Sequence, residues 1–397
     1  MDKTSFFKGL TRNIIIVGFV SLFTDLSSQM VFPLIPLYLT SVFGVGAWVV
    51  GLVEGAAEST ASLLKVFSGY WSDRLKRRKP FVLAGYSLSS ITKPLFAITT
   101  SWPFVLIFRI VERIGKGIRT APRDAIIAES CDECVRGKAY GFHRALDGMG
   151  SIFGAILAFV LFPYLGFRNI FLIAFFPAII AVLVIFFLKE EKIPKPETKK
   201  NSISLRVSLK DLPRNLKIYI FATSIFAFGN FSYAFLLLKA KNIGLSNDTA
   251  IFLYVLFYIV YTIFIIPAGI LSDNIGRKPV LIIGYVLFGV TALGLFFTTQ
   301  LALLILMFVI YGVFFAMTDG VQRAFVVDLA PKELKATALG TFHTAIGLVA
   351  LPGGLIAGII WDAFSPNMMF LYGLLLTLLA LFLFLFVKNN KSTKKKR

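Results

Sequence analysis

The stretch Gly69-Tyr70-Trp71-Ser72-Asp73-Arg74-Leu75-Lys76-Arg77-Arg78 closes one long apolar run and precedes another. It returns 200 residues later as Gly269-Ile270-Leu271-Ser272-Asp273-Asn274-Ile275-Gly276-Arg277-Lys278. In both places a Gly, a Ser-Asp pair and a basic cluster fall in the same order. The echo continues at the same offset: Arg123 returns as Arg323, Phe142-His143 as Phe342-His343, and Ala145 as Ala345. A chain whose second half repeats its first, with charged loops between apolar spans, is expected to form two similar helical bundles in a membrane.

Composition agrees. Of 397 residues, 57% are hydrophobic and only 16% charged, against about a quarter charged in an ordinary soluble domain. The apolar residues are not scattered. They form runs of about 20, long enough to cross a bilayer, at 13–39, 47–71, 80–100, 103–125, 139–162, 167–188, 217–238, 249–271, 279–298, 301–326, 336–360 and 366–387. Lipid offers no partner to open backbone groups, so each run must be a helix. The expected fold is an all-α membrane protein of twelve transmembrane helices in two pseudo-symmetric six-helix bundles. Residues 1–188 form the first bundle and 216–397 the second, with a basic tail. Residues 189–215, rich in charge, Pro and Ser, form a cytoplasmic linker.

Basic residues set the orientation. They gather at Lys3, Lys8 and Arg12, at Arg74–Lys79, through the linker, and at Lys394–Arg397, whereas connections 41–46 and 99–102 hold none. Positive charge stays on the cytoplasmic side, which puts both termini there. The net charge of +20 then reflects topology and attraction to anionic lipid. Nucleic-acid binding is a poor reading, because the bases are divided among membrane loops. The first run is long enough to span and lacks a small-residue cleavage pattern, so no cleavable signal peptide is expected. Cys131 and Cys134 form a C-x-x-C without a nearby His, an incomplete shell for zinc.

An ionisable group inside a spanning helix is expensive and marks a functional candidate. The first half concentrates them: Asp25 in span 1, Glu54 and Glu58 one turn apart in span 2, and Arg109, Glu112, Arg113, Lys116, Arg119 and Arg123 along one stripe of span 4. At about 1.5 Å per residue, Glu58, Glu112, Arg113 and Lys116 fall near the midplane. There a carboxylate beside a base can carry a proton. Asp25 either does this work or binds a helix terminus or a Ser hydroxyl. Arg119, Arg123, Asp124, Arg144 and Asp147 read first as structural ion pairs near the cytoplasmic end. The second half offers Asn230, Asp319, Gln322 and Arg323 to the pathway, with Tyr254, Tyr258 and Tyr261 on one face of span 8. His143 and His343 read as structural first and pH-sensing second.

On these residues the chain resembles the major facilitator superfamily over essentially its whole length. The loop between spans 2 and 3 is similar to that family's G-x-x-x-D-[RK]-x-G-[RK]-[RK], matching at Gly69, Asp73, Arg74, Arg77 and Arg78, with Lys76 where Gly is usual. The second copy matches at Gly269, Asp273, Gly276, Arg277 and Lys278, with Asn274 where a base is usual. The resemblance implies a conformational latch at Gly69, Asp73, Arg74, Arg77, Arg78, Gly269, Asp273 and Arg277. Span 4 is similar to the R-x-x-x-G region of the drug/proton antiporter branch at Arg109 and Gly115, with Arg113 replacing a usual Gly. The span 5 marker of that branch survives only as Gly150 and Gly154. The implied activity is secondary transport of a small organic solute, as proton-coupled efflux or as uptake or facilitated movement of an organic anion. The proton is the coupling ion, with no metal or other cofactor, and the protein acts as a monomer in the inner membrane of a prokaryote. The competing class, an integral membrane enzyme, lacks a nucleophile-base-acid set, a metal motif and a Gly-rich phosphate loop.

Overall fold

The computed structural model describes residues 10–75, 77–132, 135–189, 212–331 and 334–388. Lys76, Cys134, the body of the linker and the Lys394–Arg397 tail lie outside them. Among the described residues the chain is helical throughout, without strands. The helices run α1 (Arg12–Val31), α2 (Leu34–Val42), α3 (Ala47–Leu75), α4 (Lys79–Leu95), α5 (Trp102–Glu129), α6 (Arg136–Ile173) and α7 (Phe175–Phe186). After the linker come α8 (Arg214–Gly229), α9 (Tyr233–Asn242), α10 (Asn247–Ile275), α11 (Arg277–Phe297), α12 (Leu301–Leu329), α13 (Lys335–Ala363) and α14 (Pro366–Leu385).

Two of the apolar runs are broken helices. Pro33 lacks the N–H that would continue the ladder, so the first run becomes α1 and α2. Asn230, with ψ 101, divides α8 from α9. Gly166, at φ 66, turns the chain inside α6, a conformation that costs glycine little and other residues much.

Nine helical segments among the described residues are long and apolar enough to cross a membrane. The sequence reading counts twelve, and the difference has a physical origin. Segment Arg136–Phe186 is 51 residues long and contains the Gly166 turn, so two apolar runs fall in one helical segment. Helices α3 and α5, of 29 and 28 residues, fall outside the nine because their charges lower their hydropathy. Large side chains such as Phe176, Ile263, Ile266, Phe297 and Leu385 are exposed, as expected where lipid replaces water.

By proximity the chain divides into two compact units. One draws on Met1–Val45, Ala56–Leu205 and Ser246–Val255; the other on Gly46–Gly55, Arg206–Leu245 and Leu256–Arg397. The sequence duplication is repeated in each unit's packing. In the first, α1 packs on α6 and α7, and α4 on α5 and α7. In the second, α8 packs on α13 and α14, and α11 on α12 and α14. Polar ties repeat as well. The Asn13 side chain exchanges hydrogen bonds with the backbone of Lys189, as Asn215 does with Lys388. The Lys79 ammonium donates to the carbonyls of Phe186 and Leu188, at 3.0 and 2.7 Å. Lys278 donates likewise to Leu385 and Val387, at 3.3 and 2.6 Å. These lysines satisfy carbonyls that a helix end leaves without intrahelical partners.

Candidate functional site

The charged loops after α3 and α10 form one device built twice. Arg78 bridges Asp73, the Ser72 hydroxyl at 2.8 Å and Glu129, at the end of α5, at 2.9 Å. Arg277 binds the Ser272 hydroxyl, Asp273 at 2.6 Å and Asp328, near the end of α12, at 3.5 Å. A guanidinium can hold a hydroxyl and two carboxylates at once because its donors spread in a planar fork. Arg74 and Arg77 are exposed, Arg74 lying over the Trp71 ring at 5.7 Å. Glu129 and Asp328 complete these ties, and the sequence reading assigned them no part in the loop.

The ionisable residues of the first unit form a larger cluster around α5. Arg109 is fully buried and Glu112 is 1% exposed, 3.3 Å apart; the Arg113 guanidinium also reaches Glu112, at 3.4 Å. Both arginines lie over the Phe32 ring, with centroid distances of 4.2 and 4.8 Å. Desolvated guanidiniums gain from such contact with an aromatic face. Glu58 is accessible. It accepts from Ser62 at 3.1 Å and lies within electrostatic reach of Lys65, Arg113 and Lys116. Glu54 is buried but falls in the 46–55 stretch that groups with the second unit. Arg119 donates to the Ser89 hydroxyl and lies 4.4 Å above the Tyr86 ring. Arg123 pairs with its neighbour Asp124, at 2.8 Å.

Lys93 belongs to this cluster, and the sequence reading passed over it. It is 1% exposed on α4, donates to Ser27 at 2.7 Å, and lies within electrostatic reach of Glu112, Arg119 and Asp25. A lysine in mid-span was the available signal. The structure also brings Asp25 of α1 within electrostatic reach of Asp147 of α6. Ser21 donates to Asp147 at 2.6 Å, and Arg144 lies 3.4 Å from its other oxygen. This approach depends on two glycines of α6. A Cβ at Gly150 or Gly154 would overlap the carbonyl oxygen of Leu22 or Leu26, so α1 and α6 touch backbone to backbone there.

The second unit holds fewer charges. Asp319 pairs with Arg323 at 3.3 Å and accepts from Tyr261 at 3.2 Å. Gln322 donates to the Tyr285 hydroxyl at 3.4 Å. Asn230 is exposed at the break between α8 and α9. Tyr258 and Tyr261 meet edge to face at 5.9 Å. Tyr254, in the 246–255 stretch that groups with the first unit, donates to Gln29 at 2.6 Å. The thiol of Cys131 donates to the Ile127 carbonyl at 3.3 Å. No group of three or more His, Cys, Asp and Glu gathers as a metal site among the described residues.

A repeated pair of helical units with a buried charge cluster in the first is the architecture of a multi-pass membrane transporter. The sequence profile of the Major Facilitator Superfamily matches residues 17–238 and 218–397. The chain belongs to that superfamily. It is 43% identical over 386 residues to an uncharacterized MFS-type transporter of Methanocaldococcus jannaschii, covering 95% of each chain. It is 33% identical over 123 residues to the multi-drug resistance efflux pump PmrA of Streptococcus pneumoniae, covering 31% of each. Among solved structures it is similar to a mutant form of the nucleoside transporter NupG. That match has TM-score 0.79 and 15% identity, covering 95% of this chain and 100% of the other.

Proposed function

We propose that this chain moves a small organic solute across the cytoplasmic membrane of a prokaryote by alternating access, as proton-coupled efflux. The observation that carries the reading is the buried ionisable cluster of the first unit, above all Glu112 held between Arg109 and Arg113. A protein that needed only to span the membrane would gain nothing from so many costly groups. Efflux is supported by the antiporter-like Arg109 and Gly115 and by the partial similarity to a multi-drug efflux pump. In this reading twelve spans place both termini in the cytoplasm, the protein works as a monomer among anionic lipids, and no cofactor other than the proton takes part.

One observation favours a second reading. Lys93, Arg109, Arg113, Lys116 and Arg119 outnumber Glu58 and Glu112 around α5, which suits an organic anion moving by uptake or facilitated transport. Flux into proteoliposomes with an imposed pH gradient separates the two. A gradient that drives solute against its own concentration supports coupling, and flux indifferent to the gradient in both directions refutes it. The Asp73 loop acts here as a conformational latch. Asp73→Asn is then expected to lower the maximal flux several-fold while leaving the half-saturating solute concentration nearly unchanged, and an unaltered maximum contradicts the latch.

A further inference from the structure

We propose that the recess beside the first turn of α14 binds an oxyanion, a phosphate or carboxylate group, on the ammonium of Lys239. The proposal goes beyond the transport reading and does not need it. Lys239 sits in the last turn of α9 and is only 3% exposed. Its charge is carried across to α14, where it donates to the Asn367 side-chain oxygen at 3.0 Å and lies 5.9 Å from the Phe370 ring. An ammonium has three N–H donors, and that oxygen takes one. Among the described residues no carboxylate pairs with Lys239. A buried charge so poorly compensated is costly. Lys241, two residues on, shows the ordinary use of a base at a helix end: it donates to the Leu245 carbonyl, at 3.0 Å, in the chain leaving α9.

Lys239 lines a recess of about 560 Å³ together with Asn242, Thr298, Thr299, Ser365 and Asn367, and no carboxylate lines it among the described residues. The amides and hydroxyls can donate around an anion whose charge the ammonium meets. Ser365 already accepts from the Met368 N–H at 3.2 Å and keeps its own O–H to give. The 20-residue helix α14 begins here and adds the positive end of its dipole. A cation would be repelled by the same groups. Helix α11 begins at Arg277 and ends at Phe297, and α14 ends where Lys278 reaches Leu385. The recess therefore lies at the end of the second unit opposite its Asp273 loop. A plain tie between α9 and α14 would make Lys239 and Asn367 equivalent partners. In an anion site the lysine is needed and the asparagine can be replaced by the ligand.

The test is thermal melting of the full purified chain in a neutral detergent, followed by intrinsic fluorescence and requiring no flux. The probes are inorganic phosphate, and phosphatidylglycerol in mixed micelles, each against sodium chloride at equal ionic strength. The unaltered protein is expected to melt several degrees higher with one of them, because a ligand of the folded state raises its stability. A shift with phosphate identifies a free anion, and a shift with phosphatidylglycerol alone a lipid headgroup. Lys239→Met, which keeps the volume and removes the charge, is expected to lose the shift. Asn367→Ala removes the tie and leaves the ammonium, so it is expected to melt lower alone and to keep the shift. No shift with either probe, or one undiminished in Lys239→Met, overturns the site. Should Lys239→Met fail to fold, Asn367→Ala decides: loss of the shift there reduces the pair to a tie and overturns the proposal.

Discussion

Glu112 and Glu58 carry the same chemical group on neighbouring helices, and their surroundings give them opposite characters. Glu112 is almost wholly buried and compensates two guanidiniums that have lost their water. Removing its charge leaves Arg109 and Arg113 buried without a counter-ion, a change that costs about 3–5 kcal/mol when a buried pair is broken. Glu58 is accessible and held by one serine hydroxyl, and exposed pairs contribute about 0–1 kcal/mol. Glu112→Gln is therefore expected to lower the melting temperature of the purified protein by many degrees, and Glu58→Gln by little. Equal shifts in a scanning-fluorescence melt would mean that Glu112 is not the counter-ion of the two arginines. Lys93 belongs at this scale too. Its ammonium is held by Ser27 at 2.7 Å, and Lys93→Met, which keeps the volume and removes the charge, is expected to fold while shifting the pH at which flux is half-maximal. An unshifted flux profile would reduce Lys93 to a packing role.

At the scale of the helix, approach distance decides which side chains can meet. The contact of α1 with α6 runs past Gly18, Gly150 and Gly154, each facing atoms of the opposite helix. Gly150→Leu must push the helices apart, at a cost of about 1–3 kcal/mol or more, and is expected to give a poorly monodisperse protein on gel filtration. Gly141, on the same helix, has nothing within 4 Å of an added Cβ. Gly141→Ala is therefore expected to be neutral or to stabilise by up to about 1 kcal/mol. A Gly150→Leu protein as stable as Gly141→Ala would show that the close seam is not needed. The contrast also marks where sequence reading stops. The spans were legible because lipid demands unbroken apolar runs, and the twin loops because Gly, Ser, Asp and Arg recur at a fixed offset. The Gly150–Gly154 spacing was visible as well. What it brings together was not, because Asp25 and Asp147 lie on separate spans and their approach depends on how each helix is rotated. Lys93 was legible in principle, as a base inside an apolar run. Glu129 and Asp328 were hidden for the opposite reason: carboxylates at a helix end facing the loops look like ordinary solvated charge.

For the whole molecule the decisive quantity is the number of crossings, because it fixes which face each loop meets. Helix α6 has 38 residues and would be roughly 57 Å long if straight, almost twice the thickness of the hydrocarbon layer of about 30 Å. It is not straight: Gly166 turns it, and Tyr164 just before the turn is 83% exposed. A reversal there would make Arg136–Phe186 two crossings rather than one. With α3 and α5 counted despite their charges, the total would then be even, the case in which both ends of the chain share a face. If Gly166 instead lay inside a single long crossing, the total would be odd and the termini would face opposite sides. Tyr164→Cys separates these cases in intact cells, where an impermeant maleimide reaches only the outer face. Label is expected at position 164 without permeabilisation, while a cysteine replacing Lys388, beyond α14, is expected to react only after the membrane is opened. Label at both positions in sealed cells, or at neither, would break the even count and with it the two-fold repeat of the bundles.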